Sequence, residues 1–108
     1  MSRTIGLGVC AALAAVLAMP LPQASAAEYT VVLDKLQFTS VPAGLHVGDV
    51  IIWQNKDILR HTATARDNSF DVDLPAGSEG KTSLEHAGSF DFYCRFHPAM
   101  IGTLVVAP

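Results

Sequence analysis

Four side chains able to bind a metal stand at a spacing that suits copper. Cys94, His97 and Met100 fall within the run Cys94-Arg95-Phe96-His97-Pro98-Ala99-Met100, and His61 lies thirty-three residues before the cysteine. A thiolate favours Cu(I), imidazole suits Cu(II), and a weak axial thioether penalises neither, so the set suits one ion cycling between two oxidation states. The loop can wrap an ion by itself, but the second imidazole reaches it only if the chain folds His61 onto the loop.

The elements that must bring these residues together are short alternating runs, separated by turn residues every eight to twelve positions. That spacing predicts an all-β sandwich or barrel. Strands are expected at 29–33, 36–38, 45–47, 50–54, 61–65, 81–85, 89–94 and 103–106, with turns at Gly48-Asp49, Pro75-Ala76-Gly77 and Ala87-Gly88. Successive strand residues point to opposite faces, so Phe90, Phe92 and Cys94 share one face. That face is the apolar one, and Cys94 emerges at its inner end. In Val50 to Asn55 the same rule groups Ile51, Trp53 and Asn55, with Trp53 in the core. Asn55 reaches the Cys94 end of the sandwich if the two strands run parallel.

The first 26 residues read as an export signal, with Arg3 as the positive end, an apolar stretch from Ile5 to Met19, and the small-residue site Ala24-Ser25-Ala26. The stretch is too short to favour a membrane-spanning helix and is followed by Pro20 and Pro22. Cleavage after Ala26 leaves residues 27–108 as one domain and removes Cys10, so Cys94 has no disulfide partner. An unpaired thiol in an oxidising compartment is a liability unless it is buried or held, and a metal bond would hold it. A domain this small has a thin core, to which a metal crosslink would matter. From Ala27 onward six Lys and Arg face ten Asp and Glu, which argues against nucleic acid as a partner.

The motifs Val47-Gly48-Asp49-Val50, Trp53-Gln54-Asn55-Lys56-Asp57, His61-Thr62, Ala87-Gly88-Ser89-Phe90, Phe92-Tyr93-Cys94, His97-Pro98, Met100 and Gly102-Thr103 together resemble the cupredoxins, small blue-copper proteins. The resemblance covers nearly all of residues 27–108 and is strongest to the amicyanin, plastocyanin and pseudoazurin branch. It implies a Greek-key β-sandwich or barrel of about seven to eight strands, with one type 1 copper held by His61, Cys94 and His97 and, axially, by Met100. It also implies a monomeric, periplasmic or otherwise exported carrier of single electrons between a redox protein donor and a redox protein acceptor, with no substrate chemistry of its own. His97 becomes the electron exit, in a small apolar surface of Phe96, Pro98 and Ala99. Asn55 and Thr62 are expected to tie the His61 strand to the Cys94 loop. A copper carrier or storage protein using the same residues, without electron transfer, is the alternative.

Several residues depart from the family pattern or read plainly. Phe96 stands where amicyanin-like loops commonly have proline, so its N–H is free to donate to the Cys94 sulfur. Arg60 and Arg95 place two cations at the copper end of an acidic chain, which would steer an acidic partner. His46 and His86 read as surface residues beside turns, and Asp67, Asp71 and Asp73 as a solvated loop without calcium-loop spacing. A Cys94–histidine nucleophile lacks an open pocket and an orienting third group.

Overall fold

The structure is a computed structural model that describes Gly6, Gly8 and residues 26–108. The export signal expected over 1–26 otherwise lies outside the described residues. Among the described residues nine strands form two sheets: β1 (Glu28–Asp34), β2 (Gln37–Thr39), β3 (Leu45–His46), β4 (Val50–Asn55), β5 (His61–Ala65), β6 (Asp71–Leu74), β7 (Glu79–Ser83), β8 (Gly88–Cys94) and β9 (His97–Ala107). One sheet has the order β2-β1-β4-β7 and the other β3-β9-β8-β5-β6. β1 and β4 run parallel, as do β3 and β9, while the other paired strands are antiparallel.

Alternation decides what enters the space between the sheets. β4 alternates half-buried and buried residues, so Ile51, Trp53 and Asn55 all point inward. Phe92 and Cys94 of β8 meet them from the other sheet as fully buried residues, and Phe90 is half-buried. Trp53 and Phe92 pack edge-on with ring centroids 5.2 Å apart, and Phe38 packs on Phe92 at 4.8 Å. The indole N–H of Trp53 donates to Thr82 Oγ1 at 2.9 Å, so the largest core side chain carries no unpaired polar atom.

Three elements differ from the sequence expectation. Asp71 to Leu74 is a strand and not a loop: its acids face outward at the sheet edge while Leu74 is buried. Outward charges suit an edge strand, because they discourage pairing with another chain. β7 sits two residues earlier than expected. β9 begins at His97 and not at Thr103, because its first residues pair back onto Cys94.

Candidate metal centre

The centre is assembled on three neighbouring strands of one sheet. Along β8 and β9 the register runs regularly to Tyr93 opposite Ile101, then shifts so that Cys94 lies opposite His97. Pro98, Ala99 and Met100 are thereby extra residues on β9, and Arg95-Phe96 becomes a tight two-residue connection. The shift sets the His97 ring beside the Cys94 thiol. β5 supplies the other side: it pairs with β8 through Thr64–Tyr93 and Ala65–Phe92, which carries its first residue, His61, to the end of β8.

The donor atoms form a small triangle. His61 Nδ1 and His97 Nδ1 are 3.2 Å apart, and each lies 3.7 Å from Cys94 Sγ. A point equidistant from all three is about 2.1 Å from each, within the range of metal–imidazole and close to metal–thiolate bond lengths. His61 and Cys94 are fully buried, and His97 is half-buried. Met100, with 3% exposure, belongs to the same buried cluster as Cys94. Two imidazoles and a soft sulfur with a buried thioether close behind fit copper by donor chemistry. Among the described residues these three are the group of His, Cys, Asp and Glu side chains close enough to share an ion. His46 and His86 are exposed and outside it.

A directed hydrogen-bond chain fixes the loop. The Thr62 amide donates to Cys94 Sγ at 3.3 Å, and Thr62 Oγ1 accepts the Arg95 N–H at 2.9 Å. Thr64 Oγ1 donates to the Asp71 carboxylate at 2.7 Å. Its single proton is therefore used, and in the 2.9 Å contact between the two hydroxyls Thr62 must be the donor. Phe96 makes no hydrogen bond to the Cys94 sulfur, contrary to the expectation from the missing proline. The tight Cys94–His97 pairing turns Phe96 outward, where it is 48% exposed, and the sulfur takes its N–H from β5 instead.

Asn55 lies at the metal end but serves the approach to His61, not the Cys94 loop. Its Nδ2 donates to the carbonyls of Leu59 at 2.8 Å and Leu74 at 3.0 Å, and its Oδ1 accepts the Asp57 N–H at 2.9 Å. Sequence reasoning missed Asp57 itself. Its Oδ2 lies 2.8 Å from His61 Nε2, and its carboxyl is held below the ordinary value by the Leu36 amide first and by His61 next. The four-residue separation of Asp57 and His61 was the only local signal.

The two arginines are not free. Arg60 forms a two-pronged pair with Asp73, which lowers the Asp73 pKa and raises that of Arg60. Arg95 Nε lies 3.3 Å from Asp71 Oδ1. Both guanidiniums also approach the Phe96 ring, at 5.2 and 5.8 Å from its centroid, within cation–π range.

Fold and site define a small β-sandwich protein in which two histidines and one cysteine stand close enough to hold a metal ion. The chain belongs to the cupredoxin family: the model of the cupredoxin-like domain matches residues 7–106. Among curated proteins it is similar to amicyanin of Paracoccus denitrificans, with 26% identity over 104 residues covering 81% of this chain and 72% of the relative. In three dimensions it resembles an oxidized amicyanin mutant, with a TM-score of 0.63 at 20% identity over 79% of this chain and 94% of that one. It also resembles amicyanin of Paracoccus versutus, with a TM-score of 0.61 at 19% identity over 81% of this chain and 86% of the other. Family and relative support a blue-copper electron-transfer protein in general.

Proposed function

We propose that the protein is an exported type 1 copper protein that passes single electrons between redox partners and performs no substrate chemistry. The observation that carries this reading is the triangle of His61 Nδ1, Cys94 Sγ and His97 Nδ1, with edges of 3.2 and 3.7 Å. Copper bound there would supply the change between Cu(I) and Cu(II). His61, Cys94 and His97 would hold the ion, with the Met100 thioether as a weaker fourth donor. The buried His61, Cys94 and Met100 keep water from their side of the site, and the Thr62 N–H favours the electron-rich thiolate. Because the donors already stand at bonding separation, little rearrangement accompanies loading.

His97 is the one half-exposed ligand, which makes its ring the route for the electron. Around it Phe96, Pro98 and Ala99 are exposed, a small apolar area suited to a brief encounter with a redox protein. Arg60 and Arg95 border this face. Their pairing with Asp73 and Asp71 leaves it close to neutral, so the encounter leans on apolar contact more than on charge.

Export with cleavage after Ala26 completes the reading. The Ala27 nitrogen lies 3.1 Å from the Asp49 carboxylate, so cleavage there would set an α-ammonium against a buried acid. Among the described residues no helix is long and apolar enough to cross a membrane. The test is to add Cu(II) to the purified protein and to its Cys94→Ser variant and to record visible absorption and electron paramagnetic resonance. An intense thiolate-to-copper band with narrow hyperfine splitting, absent from the variant, is expected. A colourless wild-type complex would shift the assignment to copper delivery.

A further inference from the structure

Asp57 joins His61, four residues further along, to the Lys35–Leu36 turn more than twenty residues before it. Its Oδ2 accepts from His61 Nε2 at 2.8 Å and from the Leu36 amide at 3.0 Å, and its Oδ1 accepts the Lys35 amide at 3.0 Å. An ionised carboxylate has no proton to give, so Nε2 of His61 must carry one. In the Nε2–H tautomer the Nδ1 lone pair is bare, and that atom is the one 3.7 Å from Cys94 Sγ. The His61 ring is fully buried, so water does not compete for either nitrogen. Among the described residues Nε2 of His97 has no comparable carboxylate partner.

Lys35 and Leu36 are the central residues of the two-residue turn between β1 and β2, closed by the Asp34–Gln37 pair. Both are left-handed, with φ of 51° and 59°, the backbone of a type I′ hairpin turn that normally takes Asn-Gly. Residues with a Cβ are strained there, and Asp57 is the group that satisfies both of their amides. β1 and β2 belong to one sheet and His61 to the other.

We propose that Asp57 is a positioning residue for His61, anchored by the Lys35–Leu36 turn, which locks the ring in the tautomer that presents Nδ1 to the metal. Outer carboxylates of this kind orient ligating imidazoles and raise their basicity. The inference rests on the reading of His61 Nδ1 as a copper donor.

The test uses Asp57→Ala and Asp57→Asn. In the metal-free protein at neutral pH, ring nitrogen-15 shifts of His61 should show the Nε2–H tautomer alone in wild type and a mixture of tautomers in Asp57→Ala. Cu(II) affinity of Asp57→Ala, measured by chelator competition, should fall about 10- to 100-fold. Asp57→Asn keeps an acceptor oxygen but loses the charge, so it should hold the tautomer while its reduction potential rises. If Asp57→Ala does not fold, Asp57→Asn decides the matter through that potential. An unchanged tautomer in Asp57→Ala, an affinity within twofold of wild type, or an unchanged potential in Asp57→Asn each overturns the proposal. Failure of the wild type to give a thiolate-to-copper band overturns the copper reading instead, and the ring shifts of the metal-free protein still judge Asp57.

Discussion

Replacing Thr62 by valine isolates the hydroxyl that ties the ligand loop to the sheet. Valine matches threonine in shape, so packing is kept while two hydrogen bonds go: the 2.9 Å bond accepted from the Arg95 amide and the 2.9 Å bond donated to Thr64. Each is worth about 1 kcal/mol net, and an N–H left without a partner in a part-buried site adds to the loss. The expected destabilisation is about 2 kcal/mol, equivalent to roughly 8–16 °C in melting temperature for a domain of this size. The assay is thermal unfolding of the metal-free protein followed by the fluorescence of buried Trp53. Thr62→Ser, which keeps the oxygen, should lose much less. The Thr62 amide still reaches Cys94 Sγ in both variants, so the sulfur keeps its donor and the potential should move little. A Thr62→Val protein that melts within ~2 °C of wild type would refute the idea that this hydroxyl organises the loop.

Other outcomes follow from packing, charge and metal binding. A Cβ on Gly102 would lie 2.3 Å from Phe92 Cζ, and that ring is boxed in by Phe38 and Trp53; Gly102→Ala should therefore cost about 1–3 kcal/mol in denaturant unfolding. Acid should destabilise the protein through Asp73 and Asp67, whose pKa values are lowered from 3.8 by Arg60 and by Ser69 respectively. A depressed carboxylate contributes stability above its unfolded value and loses it as pH falls through the folded one. Melting temperature should thus hold level from neutrality toward pH 5 and decline below about pH 4, less steeply in Asp73→Asn; an identical decline in that variant would count against the pair. Free copper at a hundred times its dissociation constant should stabilise the fold by about 2.7 kcal/mol. Calorimetry with and without a chelator reads that difference, and coincident transitions would argue against a tight site.

Much of the architecture was legible because alternation carries it. Ile51-Ile52-Trp53 and Phe90-Asp91-Phe92 announce both their strands and their inward faces, and the run from Cys94 to Met100 announces a ligand loop. β6 was hidden since Asp71 and Asp73 are residues that strands usually avoid; their place at an edge makes them acceptable. The early start of β9 was hidden by Pro98 and by a register shift that no local pattern encodes. Asp57 escaped notice for a related reason. Two of its partners, Lys35 and Leu36, lie 22 and 21 residues away, and they meet it only once β1 has paired with β4. The Arg60 and Arg95 pairs likewise depend on β6 being a strand, since only then do Asp73 and Asp71 stand beside them.

The three proposed histidine and cysteine donors sit on β5, β8 and β9, which are consecutive neighbours within one sheet. Sliding or swelling of the sandwich moves one sheet over the other and leaves the spacing of hydrogen-bonded neighbours unchanged. The cost of rearranging the site should then change little with temperature while that sheet and the Asp57 contact to His61 both hold. In such a protein the colour of the centre would report chiefly on one layer, and on the layer opposite only through the strap that Asp57 makes from the Lys35–Leu36 turn to His61.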